Sequence, residues 1–280
     1  MKESKIEWTE HTFNPWIGCT KVSSGCANCY AETLMDTRYG RVRWGKGNPR
    51  SRTSEIYWRQ PMSWQRNAAS LPAPQRVFCA SLADVFDNEA PVEWLHELFW
   101  LITQTSSLRW LLLTKRPENI IRRIKEVSVT RSAKIPTWDL WADWESAYGL
   151  PNVWLGVSAE DQQRYDERVG EVMTIPARIR FVSAEPLLGP IVMGPPSPHW
   201  LIVGGESGPG ARPMDPEWVR ALRDESQQRH VAFFFKQWGG VDKHATGRWL
   251  DDRLHNALPP ERVNGCQNVR ISDGGQKASD

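Results

Sequence analysis

The chain has 280 residues, with 35 Lys and Arg against 33 Asp and Glu, a length that allows one large α/β domain or two small ones. A net charge of +2 excludes a global field for polyanionic partners, so any nucleic-acid contact would need a local patch. No stretch is long and apolar enough to span a membrane, and Met1 to Glu10 lacks the apolar core of a signal peptide, so a soluble, cytoplasmic protein without a membrane partner is expected.

In chain order, strands are predicted at Thr12–Trp16, Arg76–Ala80, Arg109–Thr114, Val153–Ser158, Ile179–Ser183, Trp200–Gly204 and Val231–Lys236. Runs such as Leu111-Leu112-Leu113 and Trp200-Leu201-Ile202-Val203 are continuously apolar, as expected of strands covered on both faces of a parallel sheet. Helical patterns fall between them at Tyr30–Tyr39, Pro91–Thr105, Pro117–Val127, Asp161–Met173 and Pro216–Arg229. Alternation of this kind implies parallel α/β architecture. The expectation is a partial or near-complete (β/α) barrel over residues 1–240. Inserted segments at about 38–67 and 128–150 follow the first and third β/α units, and a polar tail covers 241–280.

Three cysteines stand in the loop after the first strand: Cys19, Cys26 and Cys29. A closed structural zinc site usually takes four protein ligands. Three thiolates suit a metal centre with one position open, such as an iron–sulfur cluster whose fourth iron binds something else. A zinc site completed by His11, Cys79 or Cys266 is the competing reading of the same residues. Cys79 otherwise reads as a buried strand residue, and Cys266 offers no chemistry. An odd count of cysteines, three of them clustered, fits a reducing compartment better than a disulfide framework.

The apolar strands run into polar motifs, and a barrel would gather these at its mouth. Strand ends carry Ser81 to Asp84, Thr114-Lys115-Arg116, Ser158 and Glu160, Ser183 and Glu185, Glu206 and Ser207, and Lys236 and Gln237. Glu160 and Asp161 can equally be helix caps. Glu206 lies in Gly204-Gly205-Glu206-Ser207-Gly208, where the glycines would let a ligand approach the backbone. The segment Arg38–Arg66 holds Arg41, Arg43, Arg50 and further cations interleaved with Trp44, Tyr57, Trp58 and Trp64. Cations with flat rings suit a nucleic-acid groove, or else a solvated surface segment that packs its aromatics inward.

A cysteine loop after strand 1, followed by repeated strand–helix units, resembles the radical S-adenosylmethionine (radical-SAM) enzymes. Within them the chain most resembles a phage and bacterial three-cysteine family distantly similar to spore photoproduct lyase. The resemblance rests on Asn14-Pro15-Trp16-Ile17-Gly18-Cys19, Ser81-Leu82-Ala83-Asp84-Val85-Phe86, Leu113-Thr114-Lys115-Arg116-Pro117, Gly156-Val157-Ser158-Ala159-Glu160, Ser183-Ala184-Glu185-Pro186-Leu187-Leu188, Gly204-Gly205-Glu206-Ser207-Gly208 and Phe235-Lys236-Gln237-Trp238-Gly239. The usual C-x3-C-x2-C spacing is here C-x6-C-x2-C, and the usual aromatic before the last cysteine is Asn28, with Tyr30 just after.

The resemblance implies a radical-SAM-type barrel in which Cys19, Cys26 and Cys29 hold a 4Fe–4S cluster. S-adenosylmethionine would lie near Asn28, Tyr30, Ser81, Asp84, Ser158 and Glu160. Glu206, Glu185 and Lys236 would be catalytic, and an external electron donor would be needed. Chemistry on a DNA or RNA base, in repair or modification, is the substrate class expected, which requires extruding the base. Arg41, Arg43, Arg50 and Trp44 would be its contacts. A metal-stapled, non-catalytic binding protein and a radical-SAM enzyme acting on a peptide or small metabolite are the alternatives.

Overall fold

The computed structural model describes residues 4, 6–133 and 135–260, so Cys266 and most of the expected tail lie outside the described residues. The strands among them are β1 (His11–Phe13), β2 (Trp16–Ile17), β3 (Ser51–Arg52), β4 (Gln75–Cys79), β5 (Leu108–Thr114), β6 (Val153–Ser158), β7 (Ile179–Ala184), β8 (Trp200–Gly204) and β9 (Ala232–Gln237). Seven of them form one sheet in the order β1-β4-β5-β6-β7-β8-β9. Every pairing in it is parallel. Sequence order is spatial order, and β1 and β9 are the edges, so the sheet is a curled half-barrel with helices on its outer face.

The predicted strand Thr12–Trp16 is two strands. Pro15 has no N–H and restricts Asn14 before it, and after this break β2 leaves the sheet to pair antiparallel with β3. The first insertion therefore carries β3, followed by the helices Glu55–Trp58 and Gln60–Ala68. Trp58 and Trp64 from these helices meet Phe13 of β1 edge-on, at 5.6 and 6.4 Å between ring centroids. The second insertion carries the helix Leu140–Ser146, which buries Leu140 and Trp144. The packed fold also runs past residue 240. Phe235 N–H donates to His255 O at 3.0 Å and Ala257 N–H to Phe233 O at 3.2 Å, so residues 255–257 run along the outer edge of β9.

Alternation along each strand sends every second side chain to the concave face. In the N-terminal half of that face Trp8, Phe78, Trp154, Phe181, Trp200 and Phe234 form a continuous aromatic plug. Toward the C-terminal ends the same inward rows become small or polar: Trp154 is followed by Gly156 and Ser158, Phe181 by Ser183, Ile202 by Gly204, and Phe234 by Lys236. The Phe181 ring lies across Gly156, where a Cβ would stand 2.4 Å from it. That ring is the floor of the mouth.

Candidate functional site

All seven strands of the sheet point their C-terminal ends to one side, and the cysteine loop is anchored to several of those ends. Gly18 N–H donates to Leu82 O at 3.1 Å, fixing the loop to the turn after β4. Gly45 N–H donates to Cys19 O at 3.0 Å, tying the loop to residues 40–50. Cys19 and Cys29 both pack on a small apolar cluster of Ala31, Met35, Val42 and Trp44. Cys29 caps a helix, Tyr30–Glu32, that continues as a π-helical segment, Thr33–Arg38.

Of the two cations at the end of β5, Arg116 faces Cys19, while the Lys115 charge is close enough to act on Cys29. The buried Arg116 donates through Nη1 to Cys19 Sγ at 3.5 Å and through Nη2 to Thr20 O at 2.6 Å. Burial, reinforced by the nearby Asp84 carboxylate, pushes the Cys19 thiol up to about 12 despite Arg116. Burial likewise raises Cys29, while the backbone N–H groups of Glu32 and Ala31 and the Lys115 charge favour its thiolate. Negative charge placed on these sulfurs would therefore meet Arg116, Lys115 and a helix N-terminus.

Two carboxylates grip the other half of the loop. Glu160, fully buried after β6, accepts from Gly25 N–H at 3.0 Å and from Arg168 Nη1 at 2.9 Å. A Cβ on Gly25 would stand 2.9 Å from the Glu160 carboxyl carbon, so only glycine lets the carboxylate sit this close. Burial alone would raise Glu160, but hydrogen bonds from the loop and the Arg168 charge hold it below the usual carboxylate range. Glu206, after β8, accepts from Asn28 Nδ2 at 2.9 Å, Arg212 N–H at 3.0 Å and Arg212 Nε at 2.9 Å. Arg212 also reaches Ser24 O at 3.0 Å. Burial opposes the Glu206 charge, but the Arg212 hydrogen bonds prevail and bring its carboxyl down to about 2. The carboxylate expected to be catalytic is thus engaged with Arg212 and Asn28 of the loop.

Several other expected contacts are already engaged within the protein. Asp84, expected to face the ligand, accepts from Thr114 Oγ1 at 2.7 Å, Lys115 N–H at 2.9 Å and Phe86 N–H at 3.0 Å, and pairs with Arg116 at 3.1 Å. It orients Arg116. The Ser81 hydroxyl is paired with the Asn14 amide, and Tyr30 donates to Ser81 O at 2.5 Å. Asn28 is shared between Glu206 and Gly210 O. Of the pair weighed as caps, Asp161 is one, accepting from Arg164 N–H at 2.9 Å; Glu160 is not.

Gly205 and Gly239, on either side of Glu206, serve the backbone rather than a ligand. A Cβ on Gly205 would stand 1.9 Å from Trp238 O, and one on Gly239 would stand 2.2 Å from Glu206 O. The loops after β8 and β9 therefore lie backbone against backbone, with Gln237 Nε2 donating to Gly205 O at 3.1 Å. On the concave face this leaves Ser158, Ser183 and the ion pair of Lys236 with Glu185. The pair flanks Gly204, whose missing side chain keeps the space beside Glu185 open.

Of the nucleic-acid candidates, Arg50 is buried and spent on Asp87, at 2.7 Å, and on Glu89. Trp44 is buried in the cluster beneath the cysteines. Both side chains are thus enclosed by the protein rather than presented to solvent, where a nucleic-acid contact would have to be. Arg41 and Arg43 are exposed, and Arg38 and Arg41 lie over the Tyr39 ring at 5.7 and 5.6 Å.

Two of the three expected fourth zinc ligands are elsewhere. His11 stacks on Trp64 and bonds Gln75 at 2.8 Å, and Cys79 is buried in β4. Among the described residues no group of three or more His, Cys, Asp and Glu side chains stands close enough to hold a metal ion. Of the three thiols, Cys19 has the Arg116 guanidinium beside it and Cys29 the N–H groups of Ala31 and Glu32. Sequence reading missed Arg168 and Arg212, which carry no motif, and placed Arg116 among the polar strand ends at the mouth without giving it a role.

The chain belongs to the DUF5131 family, described as a protein of unknown function, whose model matches residues 3–259. A search of curated proteins finds no match. Among solved structures the chain is similar to a spore photoproduct lyase cysteine-to-alanine mutant with dinucleoside spore photoproduct, at 12% identity and a TM-score of 0.45, covering 84% of this chain and 57% of that one. It is similar also to a double mutant of that lyase with bound AdoMet and dinucleoside spore photoproduct, at 11% identity and a TM-score of 0.44, covering 84% and 58%. The chain thus spans a little over half the length of these structures. No helix among the described residues is long and apolar enough to cross a membrane.

Proposed function

We propose that this member of the DUF5131 family is a radical-SAM enzyme in which Cys19, Cys26 and Cys29 hold a 4Fe–4S cluster above the mouth of the half-barrel. One observation carries the reading: the three cysteines occupy a loop fastened to the C-terminal ends of the sheet, where α/β folds of this kind do their chemistry, with Arg116 donating to Cys19 Sγ. When bound, the cluster and S-adenosylmethionine supply reductive carbon–sulfur cleavage and hydrogen-atom abstraction, with electrons from an external donor.

The chain's own residues bind, orient and exclude water. Phe181 and the plug beneath it close the floor, so ligands enter from the cysteine side. Lys236 and Glu185 present opposite charges beside Gly204 and suit the carboxylate and ammonium of a zwitterionic ligand such as S-adenosylmethionine. Ser158 and Ser183, paired in register across β6 and β7, supply hydroxyls to the same space. Glu160 and Glu206 hold the loop rather than move protons.

The substrate class we assign is a nucleic-acid base. The support is local: Arg38, Arg41 and Arg43 with Tyr39 form an exposed cationic and aromatic rim next to the loop that donates to Cys19 O. Cations track phosphates while rings stack bases.

Anaerobic reconstitution tests the reading. The expected result is about four irons with matching sulfide per chain and reductant-dependent release of 5′-deoxyadenosine. One zinc per chain with no visible absorption would overturn it in favour of a metal-stapled binding protein. Single-strand binding whose salt slope falls by about 2 in Arg41→Ala/Arg43→Ala would support the substrate class.

A further inference from the structure

Above the apolar cluster that Cys19 and Cys29 share, the cysteine loop is held by two sets of polar anchors, and the division falls between Cys19 and Cys26. The Cys19 side is fixed by the turn after β4, through Gly18 and Leu82, and by the Arg116 guanidinium from the end of β5. The segment 24–28 uses neither Gly18 nor Arg116, although Tyr30 beyond it reaches the turn after β4 through Ser81 O at 2.5 Å. Its turn, Ser24–Cys26, has no side-chain cap, and Cys29 supplies none to the helix after it. Instead Glu160 takes the Gly25 N–H, while Glu206 takes the Asn28 amide and, through Arg212, reaches Ser24 O. Both ends of the segment 24–28 are therefore tied to carboxylates borne on different strands. Each carboxylate is held in turn by its own arginine, Arg168 or Arg212.

We propose that Glu160 and Glu206 are positioning residues that set Cys26 and Cys29 as a pair, separately from Cys19. A thiol that must meet a preformed group needs its backbone in place before the group arrives. This short segment, lengthened by the wide C-x6-C gap, has no regular structure beyond one turn to provide that. The carboxylates convert two strand ends of the rigid sheet into the missing scaffold. The resident group the thiols serve is the cluster assigned above, and only the purpose of the positioning rests on that assignment.

The test uses the full-length, metal-free protein. Amide hydrogen exchange and N-ethylmaleimide labelling, mapped residue by residue by mass spectrometry, are compared between wild type, Glu160→Gln and Glu206→Gln, each thiol against its own wild-type rate. Each variant is expected to raise exchange over residues 23–28, and labelling of Cys26 and Cys29, by about ten-fold, the size of one charge-assisted hydrogen bond lost. Cys19 should change less than about two-fold on that same scale.

Cys79, buried in β4, reports global unfolding. If it becomes labelled in a glutamate variant, Arg212→Gln decides the matter, because Arg212 is partly exposed yet holds both Glu206 and Ser24 O. Unchanged exchange over 23–28, or a rise at Cys19 equal to that at Cys26 with Cys79 still protected, overturns the proposal. Failure of the cluster reading is separate: wild type that binds no iron, yet shows the same labelling pattern, removes the cluster and leaves the positioning in place. In iron-loaded protein the same variants should release iron to a chelator faster than wild type.

Discussion

The two halves of the concave sheet face are built from the same strands and do opposite things. At the N-terminal half, Trp154, Phe181, Trp200 and Phe234 interlock as a dry plug, with Trp200 meeting Trp154 and Phe234 edge-on at 5.9 and 6.1 Å. Two to four residues further along each strand the inward positions are Ser158, Ser183, Gly204 and Lys236. Stability is concentrated where the inward rows are large, and the proposed site lies where they are small, on a floor it does not have to support. The cysteine loop belongs wholly to the upper half, where polar anchors fasten it over the small apolar cluster beneath Cys19 and Cys29.

The largest expected effect separates the halves outright. Cys26→Ser should abolish iron uptake on reconstitution while leaving the urea midpoint close to wild type, within about 0.5 kcal/mol; iron analysis and equilibrium unfolding read the two quantities. Phe181→Ala should do the reverse, costing about 3–5 kcal/mol of stability while the folded fraction still loads iron, and a variant that lost both would break the division. Lys236→Met, in the upper half, should weaken S-adenosylmethionine binding to the loaded protein about ten-fold, measured by calorimetry, with little change in unfolding.

The smallest effect concerns pH. Glu206, at about 2 in the fold against an ordinary 4.5, contributes stability that is complete above pH 4.5 and is lost as pH falls toward 2. Glu206→Gln should therefore flatten stability between pH 5 and 2 by on the order of 1 kcal/mol, seen by denaturant titration at several pH values.

Much of the architecture was legible because a parallel sheet writes itself as continuous apolar runs: β6 and β8 were bounded to the residue, and the helices Gln162–Thr174 and Pro216–Gln228 to within a residue at each end. The break at Pro15 and the run of residues 255–257 along β9 were not, since both depend on what the backbone pairs with in space. At the site, residue type was readable but partnership was not. Asp84, Glu160 and Glu206 were recognised as polar groups at strand ends, yet nothing local shows that Arg116, Arg168 and Arg212 neutralise them. Arg50 and Trp44 were misplaced for a related reason. A basic stretch looks solvated until Asp87 and Glu89, far along the chain, are seen to enclose its arginine.

The segment 255–257 has a consequence for how the molecule behaves among its copies. The edge strand β9, Ala232-Phe233-Phe234-Phe235-Lys236-Gln237, is rich in aromatic residues, and such an edge is a template for joining other chains strand to strand. Residues 255–257 occupy that template from within the molecule. A chain cut after residue 240 would keep the cysteines and the mouth, yet it would leave the edge uncovered and self-associate into insoluble aggregates.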